Sequence, residues 1–224
     1  MKIKASYDVI IIGSGPSGTA CAIRCAELGL KSLCIDNIQN NTNKTLSPGI
    51  FTNGEGLATI ALLESAKLYV SLLSDINLHG IYVEDMSFDL RQMIHRKNSL
   101  INKVNQRVTD RFSEKKVDFI HAKGKILNPY TVEIDPPLSL KQNKISAKHI
   151  VLASESIPIS IPCAPVDNEF ILDSMEALNL KTVPKRLGIL GAGVIGLELA
   201  GIWNRLGAET ILLDAQETFL GLTD

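Results

Sequence analysis

This sequence lacks charge of a single sign, abundant cysteine, clustered metal ligands and a long apolar run. Each absence narrows what the chain can be. Lysine plus arginine number 23 against 24 aspartate plus glutamate, a net charge of −1. That balance gives no reason to expect nucleic acid or an anionic membrane as a partner. No apolar run approaches the length of a membrane span, so no membrane is expected either. Residues 1–6 precede only a short apolar strand, which excludes the longer apolar core of a secretory signal. The expected location is therefore cytoplasmic, and there the sequon-like Asn40-Asn41-Thr42 and Asn43-Lys44-Thr45 carry no meaning. Cysteine occurs four times, at Cys21, Cys25, Cys34 and Cys163. Cys21 and Cys25 stand four apart on a helical stretch, so they share a face and read as thiols buried beside a sheet. His79, His95, His121 and His149 are scattered, and no spacing suits a metal.

What is present begins with composition: 224 residues, 45% hydrophobic and 21% charged, as in a globular protein of one large domain or one domain plus part of another. The organising stretch is residues 8–36. Asp8-Val9-Ile10-Ile11-Ile12 is an apolar strand of the kind buried on both faces of a parallel sheet. Gly13-Ser14-Gly15-Pro16-Ser17-Gly18 follows, then a helical run, Gly29 as its stop, and a second apolar strand ending at Asp36. In such a pattern Gly13 permits a tight turn and Gly15 lets the backbone approach a pyrophosphate. Gly18 lets helix and strand pack closely. The helix N-terminus offers free N–H groups and a positive dipole end, with Pro16 and Ser17 opening its first turn. Asp36 lies 23 positions after Gly13, at the spacing of a carboxylate that accepts from ribose hydroxyls. Glycines alone at this spacing are weak evidence; the full set of strand, glycines, helix, stop, strand and acid is specific.

Beyond Asp36 the chain reads in order as a polar loop over 39–45, then a helix over 58–69 by its apolar spacing. A second helix over 88–112 interleaves Arg91, His95, Arg96, Lys97, Lys103, Arg107, Asp110 and Arg111 with Met93, Ile94, Leu100, Ile101, Val104 and Val108, an amphipathic pattern with a solvated basic face. Strand-like runs over 117–123, 130–134 and 149–153 are bounded by turn residues, among them Pro136-Pro137 and Asn143. Pro158, Pro162 and Pro165 punctuate a crossover toward a short helix capped near Ser174. At Leu187 the first pattern returns: strand, Gly191-Ala192-Gly193-Val194-Ile195-Gly196, helix, Gly207 stop, strand, and Asp214, again 23 positions after Gly191. An acid there favours a free 2′-hydroxyl, hence NAD over NADP. The chain ends ten residues later, so the expectation is a β-α-β stub.

Two such fingerprints with an antiparallel insert between them resemble the pyridine nucleotide–disulfide oxidoreductases, and among these the dihydrolipoamide dehydrogenase branch. The resemblance is carried by residues 7–18, by Ala26-Glu27-Leu28-Gly29-Leu30, by residues 188–198 and by Leu206-Gly207-Ala208-Glu209. It implies an α/β fold: a Rossmann-like FAD-binding domain over residues 1–180, lacking its C-terminal segment, followed by the first β-α-β unit of an NAD-binding domain over 181–224. It implies FAD held through Gly13, Gly15, Pro16, Ser17, Gly18 and Asp36, and NAD through Gly191, Gly193, Gly196 and Asp214, with Glu198 near the flavin. The departures are as informative. The family's two redox cysteines fall at Phe51 and Gly56, and its lysine partner of Glu198 falls at Ile60. Its Ala-Thr-Gly turn becomes Ala153-Ser154-Glu155, a charged residue replacing a permissive glycine. The interface domain with its His–Glu base lies beyond Asp224.

Disulfide–dithiol exchange needs one thiolate to attack and a second sulfur to resolve. The expectation is therefore family membership without dihydrolipoamide oxidation and without catalytic residues. FAD would be held weakly or lost, and NAD held weakly by a half-site. Self-association, or a partner chain completing the fold, is expected as well. A non-catalytic nucleotide- or partner-binding protein and a decayed gene product are the alternatives.

Overall fold

The computed structural model describes residues 4, 6–36, 55–74, 76–135, 143–154, 156 and 158–217. The polar loop 39–45, both sequons, Phe51, Pro136-Pro137 and Glu155 lie outside the described residues. The chain forms two compact units: residues 1–52 with 102–157, and 53–101 with 158–224. The sequence boundary at 180/181 follows the repeat of the motif, whereas compactness follows packing, which groups residues 53–101 with the second motif.

In the first unit, β1 (Ser6–Ile12), α1 (Pro16–Glu27) and β2 (Ser32–Asp36) make the predicted β-α-β. β3 (Asp118–His121), β4 (Lys123–Asn128), β5 (Thr131–Asp135) and β6 (Lys144–Leu152) complete a six-stranded sheet in the order β3-β2-β1-β6-β5-β4. β1 runs parallel to both β2 and β6, and β2 to β3; β4-β5-β6 is an antiparallel meander. This is the α/β class expected. The predicted single strand over 117–123 is instead two, divided at Ala122, whose N–H donates to the Asp36 carbonyl at 2.9 Å. Ile10, Leu33, Ile35, Ile120, Val132 and Ile145 fill one core. Val9, Ile11, Cys34, Phe112 and Val117 fill another, with Cys21 and Cys25 half-buried against it. Phe112 and Val117 belong to the end of α3 (Leu90–Lys115) and the residues after it.

In the second unit, α2 (Glu55–Ser74) and the first part of α3 pack with α4 (Ser174–Ala177), β7 (Arg186–Leu190), α5 (Val194–Arg205) and β8 (Glu209–Leu213). α4 is capped by the Asp173 carboxylate, which accepts the Glu176 N–H at 2.9 Å, one residue before the predicted Ser174. The core is built around Trp203, fully buried with Ala58, Leu62, Ala66, Leu178, Leu199 and Ile202. The absence of a span-length apolar segment is corrected by α2. Over Gly56–Ser74 it is long and apolar enough, by length and composition, to cross a membrane. Glu64 and Lys67 interrupt the run in sequence, but a helix averages over them. One face, with Ala58, Thr59, Ala61, Leu62 and Ala66, is buried in this unit.

Lys97 is a second correction. The charge pattern places it on a solvated basic face, yet it is 2% exposed. Its ammonium donates to the Leu178 carbonyl at 2.9 Å and to Asn179 Oδ1 at 2.7 Å, holding the residues after α4. Burial lowers its pKa from 10.5 to about 8.

Candidate functional site

The two glycine loops have nearly the same backbone. Gly13 sits at φ +108° and Gly191 at φ +105°, a region that L side chains rarely adopt. Gly15 and Gly193 are the helix N-caps, at φ −61°, ψ −177° and φ −73°, ψ −175°. The first strand hands over to the loop by the same bond in both: Gly13 N–H to Ile35 O at 2.8 Å, Gly191 N–H to Leu213 O at 2.7 Å. A Cβ on Gly18 would stand 2.0 Å from the Gly13 carbonyl oxygen, and one on Gly196 2.0 Å from that of Gly191. Each third glycine is thus required by the close approach of helix and strand. Within each helix the first N–H to find an in-chain acceptor is that of Thr19 or Leu197. Pro16 has no N–H, so Ser17 and Gly18 are donors with no partner among the described residues in the first loop, and Val194, Ile195 and Gly196 in the second. Donors aimed out of a helix start, beside a positive dipole end, suit a pyrophosphate.

The two carboxylates meet their loops differently. Asp36 Oδ2 accepts both the Ser14 N–H and the Ser14 hydroxyl, each at 2.6 Å; Oδ1 has no bond among the described residues. Asp214 Oδ2 accepts the Ala192 N–H at 2.7 Å and Oδ1 the Gln216 N–H at 2.9 Å. These backbone donors lower the Asp214 pKa, that of Gln216 most. Their surroundings differ too. Gly13, Ser14 and Gly15 are buried, whereas Gly191 and Gly193 are exposed. A Cβ on Gly13 would stand 2.1 Å from the Ala153 carbonyl oxygen, because β6 flanks β1. On Gly191 it would meet nothing within 4 Å, since among the described residues β7 pairs with β8 alone.

Gly56 and Ile60 are exposed on α2, and a Cβ on Gly56 would meet nothing within 4 Å. Glu198 is half-buried on α5 and enters no ion pair among the described residues. Ala153 and Ser154 lie against Gly13; Glu155 is outside the described residues. The four histidines are exposed, and no group of three or more His, Cys, Asp or Glu suited to a metal occurs among the described residues. Burial raises the Cys25 and Cys34 thiols, which leaves both poor nucleophiles at neutral pH. Ser14 was missed as a site residue. Its signal was weak, a hydroxyl at the variable second place of the loop.

Residues 7–224 match the family model described as pyridine nucleotide-disulphide oxidoreductase. A dihydrolipoyl dehydrogenase of Cupriavidus necator is 32% identical over 97% of this chain and 46% of its own length. A leghemoglobin reductase of Vigna unguiculata is 31% identical over 92% of this chain and 38% of its own length. The chain thus spans less than half the length of these curated relatives. Among solved structures, a copper(II) complex of a cysteine-to-serine mutant of the HOCl-induced flavoprotein disulfide reductase RclA from Escherichia coli superposes with a TM-score of 0.76. That match is 24% identical and covers 99% of this chain and 45% of that one. At this identity it shows the fold.

Proposed function

Because this chain belongs to the pyridine nucleotide-disulphide oxidoreductase family, we propose that it is a dinucleotide-binding flavoprotein segment that does not itself oxidise dihydrolipoamide. The first loop, Gly13, Gly15, Pro16, Ser17 and Gly18 with Asp36, takes the ADP part of FAD. The second, Gly191, Gly193, Gly196 and Asp214, takes the ADP half of NAD more weakly. The observation that carries this reading is the paired geometry: a positive-φ glycine, a glycine N-cap, unpaired helix N–H groups and a carboxylate anchored to the loop. The residues fit the groups. A pyrophosphate would find the Ser17 and Gly18 N–H groups, and a ribose hydroxyl would find Asp36 Oδ1. Bound FAD supplies an acceptor for hydride.

The chemical half of the proposal rests on what replaces sulfur. Electrons from dihydrolipoamide reach a flavin through a redox disulfide, and Phe51 and Gly56 stand at its two positions. Cys21, Cys25 and Cys34 do not substitute, since they pack into or against the core beside α1 and β2, where burial raises the Cys25 and Cys34 thiols. In a coupled assay with added FAD, dihydrolipoamide should yield no NADH above a no-protein control. The Phe51→Cys, Gly56→Cys double variant should remain inactive, because Ile60 still stands at the position of the lysine that would pair with Glu198. Dihydrolipoamide-dependent NADH formation by the natural chain would overturn this half.

The exposed face of β7 and β8 is the basis for proposing self-association or a partner chain. Leu190, Ile211 and Leu213 are each more than half exposed on it, at 54%, 54% and 56%. Leu212 alternates to the other face and is half-buried.

A further inference from the structure

We infer that Ser14 is a positioning residue that selects a ribose 2′-hydroxyl in the first loop, by saturating one oxygen of Asp36 and leaving the other for the sugar; this rests on the dinucleotide reading above. Ser14 is fully buried. Its N–H and its hydroxyl both donate to Asp36 Oδ2 at 2.6 Å. A carboxylate oxygen offers about two lone-pair sites, so Oδ2 has none left for a ligand. Oδ1 is unbonded among the described residues and Asp36 is half-exposed, so a sugar hydroxyl has a single acceptor in a fixed place. Ser14 is itself held: its carbonyl accepts the Thr19 hydroxyl at 2.8 Å, which ties the clamp to the first turn of α1.

The second loop is the built-in comparison. There Ala192 supplies only its N–H to Asp214 Oδ2, and Gln216 N–H occupies Oδ1. Asp214 is held by backbone N–H groups alone among the described residues, and the exposed carboxylate is not committed to one orientation by a side chain. The first loop should therefore discriminate ribose from 2′-deoxyribose more sharply than the second.

The test is an amide-shift titration of the full ¹⁵N-labelled chain with ADP and with 2′-deoxy-ADP, following Gly13, Gly15 and Gly18 separately from Gly191, Gly193 and Gly196. In the natural chain the first loop should prefer ADP by about tenfold, the scale of one charge-assisted hydrogen bond. Ser14→Ala should bring that preference to within about twofold, with the second loop's preference unchanged. A merely structural loss would instead weaken both ligands equally. Ser14→Gly, which removes the hydroxyl without adding bulk, should behave like Ser14→Ala. An unchanged ADP preference in both variants would overturn the inference while leaving nucleotide binding intact. Absence of any saturable shift at the first loop of the natural chain would overturn the nucleotide reading, and the clamp with it.

Discussion

The same β-loop-α-β occurs twice in this chain, once inside a six-stranded sheet and once in a sheet of two strands. The loops differ in φ by 3° at their first glycines and by 12° at their helix caps. Local geometry is therefore written into the glycine spacing. What differs is everything supplied by neighbours. β1 lies between β2 and β6 and is buried along most of its length, whereas β7 and β8 alternate between half-buried and exposed. The first loop is walled by Ala153 and the second is open. A motif sets where phosphates can sit; the surrounding sheet sets how rigidly the site is held.

The largest expected effect separates these two contributions. Gly13→Ala forces a Cβ against the Ala153 carbonyl and should destabilise the first unit by roughly 3 kcal/mol or more. Gly191→Ala meets no neighbour, so only backbone strain remains, about 1–2 kcal/mol. Trp203 is the chain's one tryptophan and is buried in the second unit, so its fluorescence during denaturation follows that unit alone. Far-UV circular dichroism follows both. Equal losses for the two variants would show that the flanking strand contributes nothing to the first loop.

The cores offer the next contrast. That of the first unit buries hydroxyls, of Ser14, Thr19 and Ser32, but no charged side chain among the described residues, while the second buries the Lys97 ammonium without a carboxylate partner in its described bonds. The folded-state pKa of about 8 lies below the ordinary 10.5. Between these values the unfolded chain holds the extra proton, so stability of the second unit should rise with pH from about 8 to 10.5. Below that window the cost of burying the charge is fully present, on the order of 3 kcal/mol. Lys97→Met should raise stability at neutral pH and flatten the rise, as read by Trp203 fluorescence in urea. A pH slope that survives in Lys97→Met would assign it to other groups.

A smaller effect concerns the open sheet face. Ile211→Lys places a charge where an apolar side chain is more than half exposed. If that face is where chains associate, the substitution should weaken self-association about tenfold in sedimentation velocity. The natural chain sedimenting as a monomer at high concentration would remove the proposal.

How much of this was legible beforehand follows the same division. Both modules, their glycines and the terminal acids Asp36 and Asp214 were readable, because turn, cap and packing constraints act within 23 positions. The break at Ala122 was not. There the chain leaves its parallel pairing with β2, 86 positions earlier, for antiparallel pairing with β5, and no local residue marks the change. Lys97 reads as solvated because it continues the charged run His95-Arg96-Lys97 of an amphipathic pattern; its partners Leu178 and Asn179 come 81 and 82 positions later. The spacing pointed to Asp36 as a ribose acceptor, but the capture of one oxygen by Ser14 is a matter of three-dimensional placement.

The walled first loop should be the stronger nucleotide site. Equilibrium dialysis of the purified full chain against FAD and, separately, against NAD⁺ tests it most directly. The account predicts saturable binding of FAD, one per chain, at least about tenfold tighter than NAD⁺, and abolished by Gly13→Ala but not by Gly191→Ala. NAD⁺ binding as tightly as FAD, or FAD binding that survives Gly13→Ala, would contradict it.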